Sequence, residues 1–334
     1  MHAAAKTIVN GKPAVSAIIV NWNGAHHLRI CLASLLSQSF TSLESIVVDN
    51  GSTDDSAEVT REFKARWLPL DENVGLAPAL NRGAATAAGD FLLFINNDMR
   101  FDPGFVAALV EGLRQNEEIF ASDGMQFNWD GSDRAHLATR LVSRRPRSHS
   151  STELVPGLYF YPKEASNETA VFMGSAACML VRQRLFEKLN GFDDRLPLGY
   201  EDVEICWRAW VQGWKTVYVP TAICWHHIGS SGRSQEGMRM NFRGVLRGRL
   251  LLASKLLPLR YAIRTWLVST AGLGKDVGRM RWSFAKDRVK TLATTAGLMP
   301  QLLRERKELF ANAASSPEKH LDFLLQLTDD AGSS

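Results

Sequence analysis

Apolar runs that end in polar tips give this chain its frame. Val15-Ser16-Ala17-Ile18-Ile19-Val20-Asn21-Trp22-Asn23 reads as a buried first strand running into a polar loop. A helix follows with Leu28, Leu32, Leu35 and Leu36 on one face. Residues 44–48 form a second strand, terminated by Asp49-Asn50-Gly51-Ser52-Thr53-Asp54, and the next helix covers 57–65. Residues 67–70 make a short third strand. Asn73-Val74-Gly75 then turns into a helix of small residues over 77–88, able to pack close to a sheet, and Gly89-Asp90 leads into an apolar strand over 91–95. Strands alternating with helices of this length predict an α/β fold with a doubly wound, mostly parallel, Rossmann-like sheet.

Beyond residue 130 the pattern changes. Residues 130–170 include Arg144-Arg145-Pro146-Arg147-Ser148-His149-Ser150-Ser151-Thr152 and show no clear periodicity, so they read as a long mobile loop or an insertion. The pattern resumes at 171–181 as another buried strand. A helix opening near Tyr200 carries Val203, Cys206, Trp207, Trp210 and Val211 on one apolar face, and 216–220 is a strand. From about Gly237 onward the chain is helical and basic. A boundary near 235 separates a first domain, 1–235, from a helical C-terminal region, 236–334, whose last four residues are expected to be disordered.

Composition adds limits. The 334 residues are 45% hydrophobic and 22% charged, ordinary for a globular protein. Cys31, Cys178, Cys206 and Cys224 have no paired short spacing and read as buried thiols in a reducing compartment rather than a disulfide frame or zinc site. No apolar stretch reaches the length of a signal-peptide core at the N-terminus or of a membrane span elsewhere, so a cytoplasmic, non-integral protein is expected. The net charge of +4 is unevenly placed. Residues 233–290 hold 14 Lys/Arg against 3 Asp/Glu, a net +11, which leaves −7 for the remainder and points one segment at a polyanionic surface.

Five polar stretches can carry chemistry. Asn96-Asn97-Asp98 stands at the end of an apolar strand, where open α/β sheets bind ligands. One carboxylate flanked by carboxamides suits a divalent cation that takes its other ligands from phosphate and water. Asp49, also at a strand end, can accept a hydrogen bond from a base or ribose, while Ser52 and Asp54 read equally as helix caps. The helix start after Gly75 offers free amides to phosphate, and Pro78 fits an early helical position. Arg82 either reaches a pyrophosphate or faces solvent. Glu201-Asp202 opens a helix, whose N-terminus keeps a carboxylate ionised as a general base requires; Asp202 is the first candidate and Glu201 its rival. His226-His227 before Gly229-Ser230-Ser231 suits a metal or phosphate ligand, His226 more than His227.

The order of these stretches resembles the family 2 glycosyltransferases of GT-A fold, and within them the bacterial rhamnosyltransferase-like branch. Ile18-Ile19-Val20-Asn21-Trp22-Asn23, Val48 to Asp54, Asn73-Val74-Gly75 with Asn81-Arg82-Gly83, and Asn96-Asn97-Asp98 carry the likeness. Gly174 to Leu180, Gly191-Phe192-Asp193, Glu201-Asp202 and His226 to Ser231 complete it over 15–232. The resemblance implies a donor-nucleotide part over 15–100, built from Val20, Asn21, Asn23, Asp49, Asn73, Gly75, Asn81, Arg82 and Asn97, and an acceptor part over 101–235. It implies that Asp98 and His226 hold Mg²⁺ or Mn²⁺ on the diphosphate, and that Asp202, with Glu201 beside it, deprotonates the acceptor hydroxyl for displacement with inversion. Donor and acceptor would be a nucleoside-diphospho-sugar and a glycan or polyprenyl-linked hydroxyl, in polysaccharide or cell-envelope synthesis. The chain departs from the commoner metal triplet in having Asn at its first two positions, so metal binding is expected to be weak and substrate-dependent.

Other functions fit less well. A sugar-1-phosphate nucleotidylyltransferase would carry a glycine-rich loop with Arg after the first strand, where this chain has Asn21-Trp22-Asn23-Gly24-Ala25-His26-His27. A dehydrogenase would carry Gly-x-Gly-x-x-Gly there. A non-catalytic sugar-nucleotide or membrane-binding module would not need Asp98, Asp202 and His226 together. The basic C-terminal helices lack any nucleic-acid motif and suit an anionic membrane surface, a helical bundle or a homodimer contact.

Overall fold

The computed structural model describes residues 13–136, 138–145, 152–163, 167–227, 235–311, 313 and 315–327. Residues 1–12, 146–151, 228–234 and 328–334, on which parts of the reading above fall, lie outside the described residues. The first half runs β1 (Val15–Asn21), α1 (Ala25–Leu36), β2 (Leu43–Asp49), α2 (Ser56–Glu62), β3 (Arg66–Pro69), α3 (Leu76–Ala84), β4 (Phe91–Asn96), β5 (Met99–Phe101), α4 (Phe105–Arg114) and β6 (Ile119–Asn128). It continues with β7 (Arg134–His136), β8 (Ala138–Val142), β9 (Thr152–Val155), β10 (Leu158–Lys163), β11 (Thr169–Val171), β12 (Leu180–Arg182), α5 (Gln183–Lys188), α6 (Glu201–Val211) and β13 (Lys215–His226). Five helices follow: α7 (Gln235–Leu256), α8 (Leu259–Gly278), α9 (Trp282–Gly297), α10 (Met299–Ala311) and α11 (Pro317–Gln326).

The main sheet has the order β11-β13-β6-β12-β4-β1-β2-β3. β1 pairs in parallel with both β2 and β4, so the chain turns back across its own first strand. That reversal leaves a crevice at the carboxyl ends of β1 and β4, the place where such sheets bind ligands. β12 is antiparallel to both β4 and β6, whereas β13 is parallel to β6. The alternation of side chains along each strand fills two cores. Ile18, Leu92 and Phe94 point to the layer of α3, α6 and α7. Val15, Ala17, Ile19, Leu93 and Ile95 point to the layer of α1, α2 and α4.

The small-residue reading of α3 has a direct consequence. A Cβ on Gly83 would stand 2.4 Å from Cγ2 of Ile18 and 2.8 Å from Cγ2 of Val48, so hydrogen alone lets the helix lie this close to the sheet.

Several expectations are corrected. Leu36 is 76% exposed, and Cys31 replaces it on the buried seam with Leu28, Leu32 and Leu35, because that spacing follows one helix face. The continuous strand over 171–181 is two short strands, β11 and β12, joined by a loop through Gly174-Ser175 that is itself mostly buried. Burial without alternation looks the same for a strand and for a covered loop. Residues 130–170 contain an antiparallel sheet, β8-β10-β9, rather than a structureless loop. The strand over 216–220 continues to His226 through a register break between Val219 and Ile223, around Pro220, which cannot donate to a ladder. α6 is buried on every side and not on one face alone. All four cysteines are free and buried.

Gly83→Ala is expected to cost about 1–3 kcal/mol through overpacking, read as a lower midpoint in urea unfolding. An unchanged midpoint would mean that α3 can lift from the sheet at no cost.

Candidate active site

Four strand ends meet at the crevice, and hydrogen bonds tie them together. Asn21 ends β1 with 0% exposure. Its Nδ2 donates to Asp49 Oδ1 at 3.1 Å and to Ser56 Oγ at 2.8 Å, and its Oδ1 accepts from Asn97 Nδ2 at 2.7 Å. Ser52 donates its backbone N–H to Asp49 Oδ2 at 2.9 Å and its hydroxyl to Oδ1. Asn23 receives the Thr53 N–H at 2.8 Å. One strand further, Asn50 Oδ1 accepts from Val74 N at 2.9 Å, and Asn50 Nδ2 donates to Asn73 Oδ1 and Gly75 O. The loops after β1, β2, β3 and β4 therefore form one hydrogen-bonded rim.

Asn21 is buried, and its carboxamide is taken up by Asp49, Ser56 and Asn97. Ser52 does not cap the following helix: α2 starts at Ser56 with no side-chain cap bond, and the Ser52 hydroxyl belongs to Asp49. Val20, just before Asn21, is half-buried against the α3 side of the sheet. Gly75 adopts φ +94°, a conformation that suits glycine, and donates its N–H to Asn73 Oδ1 at 3.0 Å. α3 begins immediately after it with no side-chain cap, which leaves first-turn amides for an anion.

Asn81 and Arg82 go elsewhere. Asn81 accepts from Phe192 N at 3.0 Å and donates to Phe192 O and Asp194 Oδ1, so its carboxamide pins α3 to the Gly191-Phe192-Asp193-Asp194 loop. Arg82 is exposed.

Asp98 follows Asn97 in the tight connection from β4 to β5. Its Oδ1 lies 3.2 Å from His226 Nε2, and its carbonyl accepts from His227 N at 3.0 Å. The pairing of β5 with β13, Met99 opposite His226, brings these distant residues together. His226, not His227, presents its ring to the carboxylate. The His227 ring packs on His27, centroids 4.7 Å apart, and burial together with His227 lowers the His27 pKa below the usual histidine value. Arg100 lies between Trp129 and Trp225, 4.8 Å from each ring. His27, Arg100 and Trp129 were not singled out from sequence. The His26-His27 pair after the first strand was the only available signal, and it is as common on a solvated helix start.

Asp202, second residue of α6, reaches the same place through the loop between β11 and β12. Its Oδ2 accepts from Ala176 N at 3.4 Å, while the carbonyl of the next residue, Ala177, accepts from Asn96 N at 3.1 Å. The carboxylate and the Asn96-Asn97-Asp98 turn are thus joined across a single dipeptide, and consecutive Cα atoms span only about 3.8 Å. Among the described residues no group of three or more His, Cys, Asp or Glu is arranged to hold a metal ion by itself. Asp98 Oδ1 and His226 Nε2, both partly open to solvent, form a two-donor set, and the Asn97 amide N–H bonded to Asn21 leaves its oxygen for another partner. A cation that brings phosphate and water ligands needs no more than this.

A sequence profile of glycosyl transferase family 2 matches residues 16–189, more than half of the chain. The chain belongs to glycosyl transferase family 2. It is similar to an N-acetylglucosaminyl-diphospho-decaprenol L-rhamnosyltransferase of Mycobacterium tuberculosis, 30% identical over 241 residues covering 65% of this chain and 77% of that protein. A mannosyltransferase from Pyrobaculum calidifontis, solved with GDP-Man and Mn²⁺, shares the fold at TM-score 0.53 and 15% identity, covering 86% of this chain and 87% of that one. GalNAc-T7, solved with UDP, GalNAc and Mn²⁺, does so at TM-score 0.59 and 16% identity, covering 84% and 55%. The GT-A architecture of this glycosyltransferase is therefore shared well beyond its sequence relatives.

Both adjacent carboxyls at the start of α6 are buried in this glycosyltransferase. Glu201 is 2% exposed, and burial, reinforced by Asp202, raises its pKa from an ordinary 4.5 to about 8, which favours its neutral form. Between about pH 4.5 and about pH 8 the unfolded chain has lost this proton and the folded enzyme keeps it, so stability falls as pH rises through that window. Glu201→Gln removes the penalty. Its melting temperature is expected to gain on the wild type as pH rises from about 5 to about 8, and parallel curves would show that Glu201 is not a buried neutral acid.

Proposed function

We propose that this enzyme transfers a sugar with inversion from a nucleoside-diphosphate donor to a hydroxyl of a glycan or lipid-linked acceptor. Asp202 acts as the general base, and Asp98 with His226 holds a divalent cation, Mg²⁺ or Mn²⁺, on the donor diphosphate. The observation that carries this reading is the Ala176-Ala177 bridge, which keeps the Asp202 carboxylate one dipeptide from the Asn96-Asn97-Asp98 turn. A base and a diphosphate site at that separation can act on opposite faces of one sugar ring. Rhamnose as the sugar is supported by the mycobacterial relative, whose name also specifies a diphospho-decaprenol acceptor. The divalent cation is supported by the two solved neighbours, which hold Mn²⁺ beside their nucleotides.

The residues divide the work. Asp49, held by Asn21 and Ser52, faces the nucleotide, with Asn23, Asn73 and Val20 on the rim. Amides at the start of α3 meet the diphosphate. A cation, when bound, stabilises charge on the departing diphosphate. The acceptor oxygen bonds to the anomeric carbon, its proton passes to the Asp202 carboxylate, and the bond from that carbon to the diphosphate oxygen breaks on the far side.

An anionic membrane surface is the partner we propose for α8 and α9. Both acids between Leu259 and Gly297, Asp276 and Asp287, are buried, whereas Arg260, Arg264, Lys275, Arg279, Lys286 and Lys290 are exposed. Leu259, Ile263 and Leu267 recur every fourth residue along the outer face of α8, and Met280 and Trp282 at the corner are 79% and 64% exposed. No helix among the described residues is long and apolar enough to cross a membrane, so contact would be interfacial, with basic residues near anionic lipid each adding about 1 kcal/mol.

Asp98→Ala and Asp202→Asn are each expected to retain the wild-type melting temperature and to lower transfer from dTDP-rhamnose to N-acetylglucosaminyl-diphospho-decaprenol by about 10²-fold or more. Normal turnover by Asp202→Asn would remove it as the base. A melting-temperature rise with UDP, GDP or dTDP that needs Mn²⁺ or Mg²⁺ in the wild type, and is lost in Asp98→Ala, would support the cation assignment. In co-sedimentation, Ile263→Glu with Leu267→Glu should lose binding to phosphatidylglycerol vesicles; equal binding by this double variant would refute the membrane face.

A further inference from the structure

The C-terminal helices first look like an appendage, yet one of them grips the segment that carries the base. α7 touches the stretch from Asp193 to Glu204 at five successive places. Lys255 lies 2.9 Å from Asp193 Oδ2 and 2.7 Å from Glu204 Oε1. Arg247 Nε donates to Arg195 O at 3.0 Å. Gly244 lies against Pro197, where a Cβ would be 3.3 Å from the ring. Gly248 lies flat on Tyr200, where a Cβ would stand 2.5 Å from Cγ and Cδ2. Arg249 stands beside the Tyr200 hydroxyl and, through Nη2, donates to Glu153 O at 2.9 Å. Tyr200 is the residue before α6, two before Asp202, and is itself buried.

These contacts come from three separate parts of the chain. Glu153 belongs to β9 in the small antiparallel sheet, Tyr200 to the entry of α6, and Gly248 and Arg249 to α7. They meet at one aromatic ring. Gly199, with φ +84°, has nothing within 4 Å of its Cβ position, so the ring that follows it is the first packed side chain at the entry of α6. The ring and what holds it act there together with the ion pairs of Glu204 further along the helix.

We propose that α7 is a positioning element for catalysis: Gly248 and Arg249 seat Tyr200, and the seated ring aims Asp202 at the acceptor. Gly248 supplies clearance for the ring face, Arg249 fixes its hydroxyl, and Lys255 anchors the far end of the same segment. The small sheet is tied to the entry of α6 through Glu153 and Arg249, so that sheet and the base share one joint. This rests on Asp202 being the base. The joint itself does not depend on that role, which lets the two be tested apart.

The test compares wild type, Gly248→Ala and Tyr200→Phe. Gly248→Ala pushes the ring away; Tyr200→Phe keeps the ring and removes only the hydroxyl beside Arg249, so it remains informative if the first variant folds poorly. Backbone hydrogen exchange is followed across 197–204 and, as a control, across β4 and α3. Transfer is assayed from dTDP-rhamnose to N-acetylglucosaminyl-diphospho-decaprenol, and donor-site occupancy by the thermal shift with dTDP and Mn²⁺. The expected result is faster exchange confined to 197–204 and a fall in kcat of about 10²-fold, the scale of a 1 Å misplacement, with the nucleotide shift unchanged. Wild-type exchange and wild-type kcat in both variants would overturn the proposal, as would a loss of nucleotide binding equal to the loss of kcat. Faster exchange at 197–204 in a protein whose wild type transfers nothing would uphold the joint and count against the catalytic reading instead.

Discussion

A buried carboxamide holds the rim of the crevice together. Asn21 stands where β1 ends between β2 and β4, and its two polar atoms face in different directions: the NH₂ toward Asp49 and Ser56, the oxygen toward Asn97. A carboxamide is one of few side chains that can donate on one side and accept on the other without carrying charge. An acid here would repel Asp49, and an apolar residue would leave the Asn97 amide and the Asp49 carboxylate short of a partner in a buried place. The loop positions of Asp49, Ser52 and Asn97 all follow from this residue.

The surroundings of α6 are organised by charge instead. Asp193, Arg195, Glu204, Arg208, Lys255 and Glu305 form linked ion pairs between the segment before α6, α6 itself, α7 and α10. Lys255 and Glu204 are both buried, and the pairing keeps Asp193 ionised well below the usual carboxylate range, despite burial, by way of Arg195 and Lys255. Buried ion pairs add little to stability against an apolar alternative, but they tolerate few arrangements. They hold α6 in one place while the rim residues stay open.

Much of this was legible from sequence, and the failures have physical reasons. Apolar runs closed by polar tips marked β1, β2 and β4 because a strand buried on both faces has no other pattern, and their tips marked Asp49 and Asn96-Asn97-Asp98. The basic, Leu-rich tail read correctly as helical. The role of Asn21 was hidden because a strand-end carboxamide looks alike whether it turns into the crevice or into the rim. Residues 171–181 misled because burial comes from the covering helices and not from the segment itself. The sheet within 130–170 stayed hidden because its strands are four to six residues long, too short to show a period. That Glu201 and Asp202 are both buried follows from the layers packed around α6, which no local pattern shows. The pairing of His226 with Asp98 depends on β5 meeting β13 across more than a hundred residues, and no local signal carries such a contact.

The bridge between the two halves is made of main chain. Ala176 offers its N–H to Asp202 and Ala177 its carbonyl to Asn96, so neither side chain takes part. A joint of that kind is indifferent to residue identity beyond size and backbone freedom. The polar rim closes within residues 21–98 and the ion pairs close within 193–305, and this link between them depends on backbone alone, unlike the one through the Asn81 carboxamide to Phe192 and Asp194. A change of side chain at Ala176 or Ala177 therefore leaves the hydrogen bonds of this link in place, whereas a change at Asn81 cuts the other.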